Sequence, residues 1–141
     1  MKISTRGVYA IRALIDIAQN QKEAPVALRS IAQRQNLSES YLEQLFTSLK
    51  KAGLVKSLRG AQGGYELTKL PEDLKVIEII RVMEGPIAPV ECVNEESTDS
   101  GCDNASFCTL KPLWSRLRDS MITVLEATSL ADLLTEVDPK K

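Results

Sequence analysis

The chain has 141 residues, 43% of them hydrophobic and 26% charged, with a net charge of −1 and no histidine. That length suits one domain with a buried core; no run of about 18 apolar residues offers a membrane span and no secretory apolar stretch precedes the first helix, so a cytoplasmic protein without a membrane partner is expected. The small net charge hides a division: residues 1–70 hold 11 Lys+Arg against 5 Asp+Glu, residues 71–141 hold 7 against 14, and such a basic first half suits a polyanion, with a merely solvated surface as the blander account.

In chain order, Ser4 or Thr5 can cap a first helix whose apolar stripe is Val8, Ile11, Leu14, Ile15 and Ala18. Polar residues from Asn20 to Pro25 break it. Leu28, Ile31 and Ala32 mark a short second helix that ends near Arg34 to Asn36, where asparagine tolerates a left-handed turn. Ser38 is a good N-cap for a third helix, with Tyr41, Leu42, Leu45 and Leu49 on its buried face. Gly53 supplies the left-handed residue that stops it. Leu54, Val55 and Leu58 lead out as a strand, Tyr65 and Leu67 lead back, and Arg59-Gly60-Ala61-Gln62-Gly63-Gly64 forms the tip between them. Two short helices and a basic hairpin form a winged helix-turn-helix, whose second helix enters the major groove of DNA.

Beyond Pro71, Leu74, Ile77, Ile80 and Met83 predict a fourth helix, stopped by Gly85-Pro86. Residues 91–108 have almost no apolar content and no period, which reads as a loop. Leu110, Leu113, Leu117, Met121 and Val124 then predict a long helix over 109–127, and Thr128 or Ser129 starts a last short one through Leu134, with Asp132 near its positive end. The fold class is therefore mainly α with a small β-hairpin wing. The chain divides into residues 1–84 for the winged helix-turn-helix, 85–108 for a cysteine-bearing loop and 109–141 for a dimerisation helix and a short C-terminal helix, all in one structural domain.

On the third helix Ser40, Glu43 and Gln44 lie where side chains reach base edges: glutamine can pair with adenine, glutamate can accept from the cytosine amino group, and serine suits either. Tyr41 turns inward or toward a phosphate, a choice left open. Arg59 suits a narrow minor groove, with Gly60 and Gly63 shaping the tip that carries it; Lys50, Lys51 and Lys56 suit phosphates. Ser38 and Tyr41 complete the candidate DNA-binding set. Plain exposed polarity is the rival account for any one of these residues and a poor one for the ordered set.

The three cysteines, Cys92, Cys102 and Cys108, are odd in number and spaced C-x9-C-x5-C. Thiolates are soft ligands for zinc, copper(I) or iron–sulfur clusters. The close ligand pairs usual in structural zinc sites are missing, and wide spacing better suits a cluster; zinc, a thiol redox switch and inert thiols remain as alternatives. An enzyme is not expected. Without histidine, acid–base work would fall to carboxylates, lysines or tyrosines, and Gly60-x-x-Gly63-Gly64 lies between strands rather than before a helix, unlike a phosphate cradle.

With these residues in view, the sequence resembles the Rrf-two family of winged-helix transcription regulators, which has IscR-like, NsrR-like and CymR-like branches. The resemblance covers almost the whole chain. It is carried by MKISTRGVYAIRAL, SIAQRQNLSESYLEQLFTSLKKAGLVKSLRGAQGGYEL, VIEIIRVMEGPIAPVEC and the C-x5-C followed by LKPLW. It implies a homodimer held by the long helix, with two helix-turn-helix units on a two-fold site in double-stranded DNA. Ser40, Glu43 and Gln44 would approach bases and Arg59 the minor groove. The cysteines liken it to the IscR-like branch, although the first half reads much like the CymR-like one. An iron–sulfur cluster on Cys92, Cys102 and Cys108 is implied, with a 2Fe–2S cluster preferred to a 4Fe–4S one. IscR-like proteins have a ligand histidine where Lys111 stands, and NsrR-like proteins an aspartate where Val8 stands, so the fourth ligand is unassigned. The rivals are a cysteine-metabolism repressor signalled by a partner enzyme such as cysteine synthase, with no cluster, and a zinc-binding or protein-interaction module that does not bind DNA.

Overall fold

Helix α1 (Thr5–Asn20) begins at Ser4, but the serine side chain does not cap it. Instead Glu84, from the far end of the fourth helix, accepts from the Ser4 amide at 2.8 Å and from the Ser4 hydroxyl at 2.5 Å. A carboxylate thus sits at the positive end of α1. These contacts belong to a computed structural model, which describes residues 3–21, 24–60, 63–90, 93 and 109–136.

The buried face of α1 is Gly7, Ala10, Ala13, Leu14, Asp16 and Ile17, whereas Val8 is exposed and Ile11, Ile15 and Ala18 are half-buried. The expected stripe is therefore corrected by a rotation about the helix axis. The reason is close approach. Small residues line this face, and a Cβ on Gly7 would stand 2.7 Å from Glu84 Oε1, so the Glu84 carboxylate would have to shift from Ser4 to admit it.

Helix α2 (Leu28–Gln35) ends at Asn36, which takes the left-handed conformation at φ 56°. Helix α3 (Glu39–Lys51) follows at once. Ser38 Oγ accepts from the Tyr41 amide at 3.1 Å, the expected cap. Leu42, Leu45, Phe46 and Leu49 are fully or almost fully buried. At the other end the Gly53 amide donates to the Lys50 carbonyl and the Leu54 amide to the Leu49 carbonyl, each at 3.0 Å. Gly53, at φ 82°, closes this Schellman turn.

The turn aims the chain into β1 (Val55–Leu58), which pairs antiparallel with β2 (Gly64–Leu67) in the register Val55 opposite Leu67 through Leu58 opposite Gly64. Helix α4 (Val76–Glu84) buries Val76, Ile77, Ile79, Ile80 and Met83. Its first turn is held by Glu78, which accepts from the Lys75 amide at 2.9 Å and pairs with Lys69. Partial burial opposes ionisation of Glu78, but Lys69 and the Lys75 amide outweigh it and hold the carboxyl below its usual range.

Helix α5 (Lys111–Ala127) starts with Pro112 in its first turn, and α6 (Leu130–Glu136) follows after a sharp break. Asp132 accepts from the Ser129 amide at 2.9 Å while its own amide donates to the Ser129 hydroxyl at 3.1 Å, a reciprocal cap that also depresses the Asp132 carboxyl. Two backbone bonds, Val76 amide to Thr128 carbonyl at 2.9 Å and Leu130 amide to Leu74 carbonyl at 2.8 Å, tie this break to the start of α4. As a result α6 packs on α1, and Leu130 is completely buried in the same core as α1 and α3.

The main core gathers α1, α2, α3, the wing and part of α4. A smaller one sets Val76, Ile77, Ile80 and Ile87 against Met121, Ile122 and Leu125 of α5. No described helix is long and apolar enough to cross a membrane.

Candidate nucleic-acid interface

Burying Leu42, Leu45, Phe46 and Leu49 turns the opposite side of α3 outward. Ser38, Ser40, Glu43, Gln44 and Lys50 are all exposed, and Ser40, Glu43 and Gln44 share one face at spacings of three and four. Thr47 continues that face one turn on; the sequence reading passed over it, though the same spacing marks it. Tyr41 differs from these residues. It is half-buried, its ring packed against the core and edge-on to Tyr9 at 6.2 Å. The ring thus takes the inward position, with the residue half-buried rather than buried.

The wing is fixed to α3 from below. Phe46 stacks on Tyr65 of β2 with ring centroids 4.7 Å apart and planes 20° off parallel. Tyr65 also exchanges both backbone hydrogen bonds with Val26, at 2.8 and 2.9 Å, so the residues entering α2 add a third strand-like edge to the hairpin. A Cβ on Gly64 would come within 2.5 Å of the Val26 carbonyl oxygen, which requires glycine there. Helix α3, the hairpin and the start of α2 are therefore packed as one piece. At the tip Arg59 and Gly60 are exposed, Gly60 has φ 115°, and the Gly63 amide closes the turn on the Gly60 carbonyl at 3.0 Å. Lys56 pairs across the strands with Glu66 at 3.0 Å, which leaves Arg59 as the less compensated cation of the described wing residues.

A buried carboxylate on α1 ties that helix to the end of α2. Asp16 is only 2% exposed. It accepts from Arg34 Nη2 at 2.6 Å, Arg34 Nε at 2.9 Å and Gln35 Nε2 at 3.1 Å. The Asp16 hydrogen bonds hold the Arg34 guanidinium above its ordinary pKa despite some desolvation. A charged group inside an apolar stripe is invisible to a period count, but its partner lies 18 positions on, in the last turn of α2.

The expected metal ligands Cys92, Cys102 and Cys108 lie outside the described residues. Among the described residues no group of three or more His, Cys, Asp or Glu side chains could hold a metal. What the structure does give is an anchor for the segment. Val93 is buried, and its carbonyl accepts from Arg118 Nη1 of α5 at 2.9 Å. Lys111, where IscR-like proteins were expected to have a ligand, is half-buried in the first turn of α5.

The residues expected to dimerise separate into two groups. Leu110, Leu113, Leu117 and Val124 are 51%, 44%, 42% and 62% exposed, whereas Met121 is half-buried against the second core. Not one residue of α5 is buried. Ile3 and Val8, at the start of α1, are exposed too, and an apolar hollow lined by Ile3, Met121, Val124 and Leu125 joins Ile3 to α5.

Residues 3–136 match the Rrf2 family, described as an iron-dependent transcriptional regulator. The chain belongs to that family. It is 46% identical over 138 residues to the HTH-type transcriptional regulator CymR of Bacillus subtilis, covering 98% of this chain and 93% of CymR. Against the HTH-type transcriptional regulator IscR of Aliivibrio salmonicida it is 38% identical over 136 residues, 96% of this chain and 79% of that one. Among solved structures, B. subtilis CymR superposes with a TM-score of 0.79 at 45% identity, covering 98% of this chain and 99% of that one, and T. potens IscR with 0.78 at 45% identity, covering 100% and 91%. These neighbours establish the winged-helix regulator fold and a transcriptional regulator rather than an enzyme. As solved structures, CymR and IscR lie equally near.

Proposed function

We propose that this regulator is a cytoplasmic homodimer whose two α3 helices read a two-fold operator in double-stranded DNA. Its thiols Cys92, Cys102 and Cys108 carry an iron–sulfur cluster that reports iron–sulfur or redox status. By role the chain divides into the reading unit 1–84, the sensing segment 85–108 and the dimer-forming segment 109–141. The observation that carries the DNA reading is the polar face of α3 held beside Arg59. Ser40, Glu43 and Gln44 meet base edges, Arg59 enters the minor groove, and Ser38, Lys50, Lys56 and the Gly60–Gly63 turn meet the backbone. Dimerisation is supported by α5, whose exposed leucines need cover.

The sensor rests on donor chemistry. Three thiolates suit iron–sulfur or zinc coordination, and no histidine exists in the chain to complete a set. A bound cluster supplies redox and oxygen-labile chemistry. This chain's own part is to anchor the segment, through buried Val93 and its bond from Arg118, to the helix that would join the two subunits.

A second reading keeps the DNA site and drops the cluster, with the signal coming from an enzyme of cysteine metabolism. It is favoured by the 46% identity to CymR, whose structure is described as that of the global cysteine regulator of B. subtilis. Purification without oxygen, followed by visible absorption and iron and sulfide analysis, separates the two. The cluster reading expects iron and sulfide in wild type, loss of both in Cys92→Ala, Cys102→Ala and Cys108→Ala with the dimer retained, and different operator affinities for loaded and metal-free protein. Iron-free wild type overturns it in favour of the second reading. Failure to bind any DNA in a salt-dependent way would overturn both.

A further inference from the structure

Ser40, Glu43, Gln44 and Thr47 follow one another along the outward face of α3. The first three end in groups that exchange hydrogen bonds with base edges. Thr47 differs, because its hydroxyl donates to the Glu43 carbonyl oxygen, one turn back, at 2.7 Å. A threonine carries its hydroxyl and its methyl on the same stiff Cβ. Once the hydroxyl is turned onto the helix backbone, the methyl is the group the residue presents outward. Thr47 is exposed and belongs to neither apolar core, so nothing in the subunit's cores claims that methyl. Its hydroxyl proton is already engaged, which makes it a poor donor to a phosphate.

Resting on the reading of α3 as the recognition helix, we infer that Thr47 selects thymine, by contact between its methyl and the thymine C5-methyl in the major groove. That methyl is the apolar feature of the major-groove code, and a threonine methyl is among the groups that read it. Thr47 lies about 6 Å along the helix axis from Glu43. The thymine it selects therefore stands within one or two base pairs of the bases that Glu43 and Gln44 meet.

The test uses full-length protein and an operator recovered from a random-sequence DNA pool. Each thymine of the recovered site is replaced singly by deoxyuridine, which deletes only the methyl. Wild type is expected to lose about fourfold in affinity at one thymine per half-site, the worth of one buried methyl group. Thr47→Val keeps a methyl and should keep that loss. Thr47→Ser keeps the hydroxyl and should bind the thymine and uracil sites alike. The inference is overturned if wild type tolerates every replacement. It is also overturned if Thr47→Ser retains the same sensitivity, which would report the stiffness of the DNA, or if Thr47→Val weakens all sequences equally, which would report a hydroxyl on phosphate. Recovery of no sequence from the pool overturns the DNA reading itself, and this inference with it.

Discussion

Helices α3 and α5 are both amphipathic, with 13 and 17 residues, yet the fold treats them oppositely. In α3 every large aliphatic side chain and Phe46 are inside the subunit, and what remains outside is polar. In α5 nothing is buried, and Leu113, Leu117 and Val124 remain outside among the polar residues. An exposed polar face costs nothing in water and is free to meet a polyanion. An exposed row of leucines is a cost until something apolar covers it. The subunit thus covers the apolar face of α3 and leaves that of α5 open, the contrast on which the proposal of DNA binding in the basic half and dimerisation in the acidic half rests.

The largest expected effect breaks the incomplete side alone. Leu113 and Leu117 are exposed in the subunit, so replacing both with glutamate should leave the fold intact. Each is already more than half covered in the subunit, so burial between subunits adds about 1 kcal/mol per leucine; the two positions in both subunits make about 4 kcal/mol, and losing them should weaken dimerisation roughly a thousandfold. Sedimentation should then show monomers with unchanged helical content. Met121, which touches the second core, is a worse choice because its loss would also loosen α4. An intact dimer in the double variant would assign the interface elsewhere, to Ile3 and Val8 first.

The complete side is tested at Asp16. Its carboxylate joins α1 to the last turn of α2, two residues before the left-handed Asn36 that sets the entry to α3. Removing one member of a buried pair costs about 3–5 kcal/mol. Arg34 is 42% exposed and can recover water, so roughly 2 kcal/mol is the better figure for Asp16→Ala. Denaturant unfolding at fixed protein concentration should show that loss with the dimer retained, the reverse of the leucine variant. A neutral result would mean that apolar packing alone holds the angle between α1 and α2.

Much of α3 and the wing was legible because its signals are local. A serine cap, a helical period, a glycine at the left-handed stop and a glycine-rich tip each act within a few residues. What the sequence concealed depends on distant partners. The face of α1 was misjudged because large apolar residues were weighted over small ones, and the neighbour that Gly7 meets is Glu84, some 77 positions away. Phe46 escaped notice between Leu45 and Leu49, since its role is to stack on a tyrosine of the wing. The Val26–Tyr65 bridge joins single residues and leaves no period at all. In the candidate site the exposed polar residues were found and Tyr41 was left open, because an aromatic ring in a first turn turns inward only if something such as Tyr9 receives it.

The smallest expected effect sharpens the contrast between surfaces that bind charge and surfaces that bind sequence. Arg59 stands at the base of an exposed tip, and its wing neighbour Lys56 already shares its charge with Glu66. Arg59→Ala should therefore remove most of the wing's electrostatic contribution without disturbing the hairpin, whose strands end at Leu58. Loss of a contact to the minor groove or backbone weakens binding on most sequences, by about 1 kcal/mol here, and lowers the slope of log affinity against log salt by roughly one. Gln44→Ala should instead cost about 1–3 kcal/mol only at sites with the matching base and leave the salt slope unchanged. The two variants are compared on the selected operator and on a scrambled duplex over a range of salt. If Arg59→Ala changed only the sequence preference, or Gln44→Ala only the salt slope, the division of labour between wing and helix proposed for this interface would be wrong.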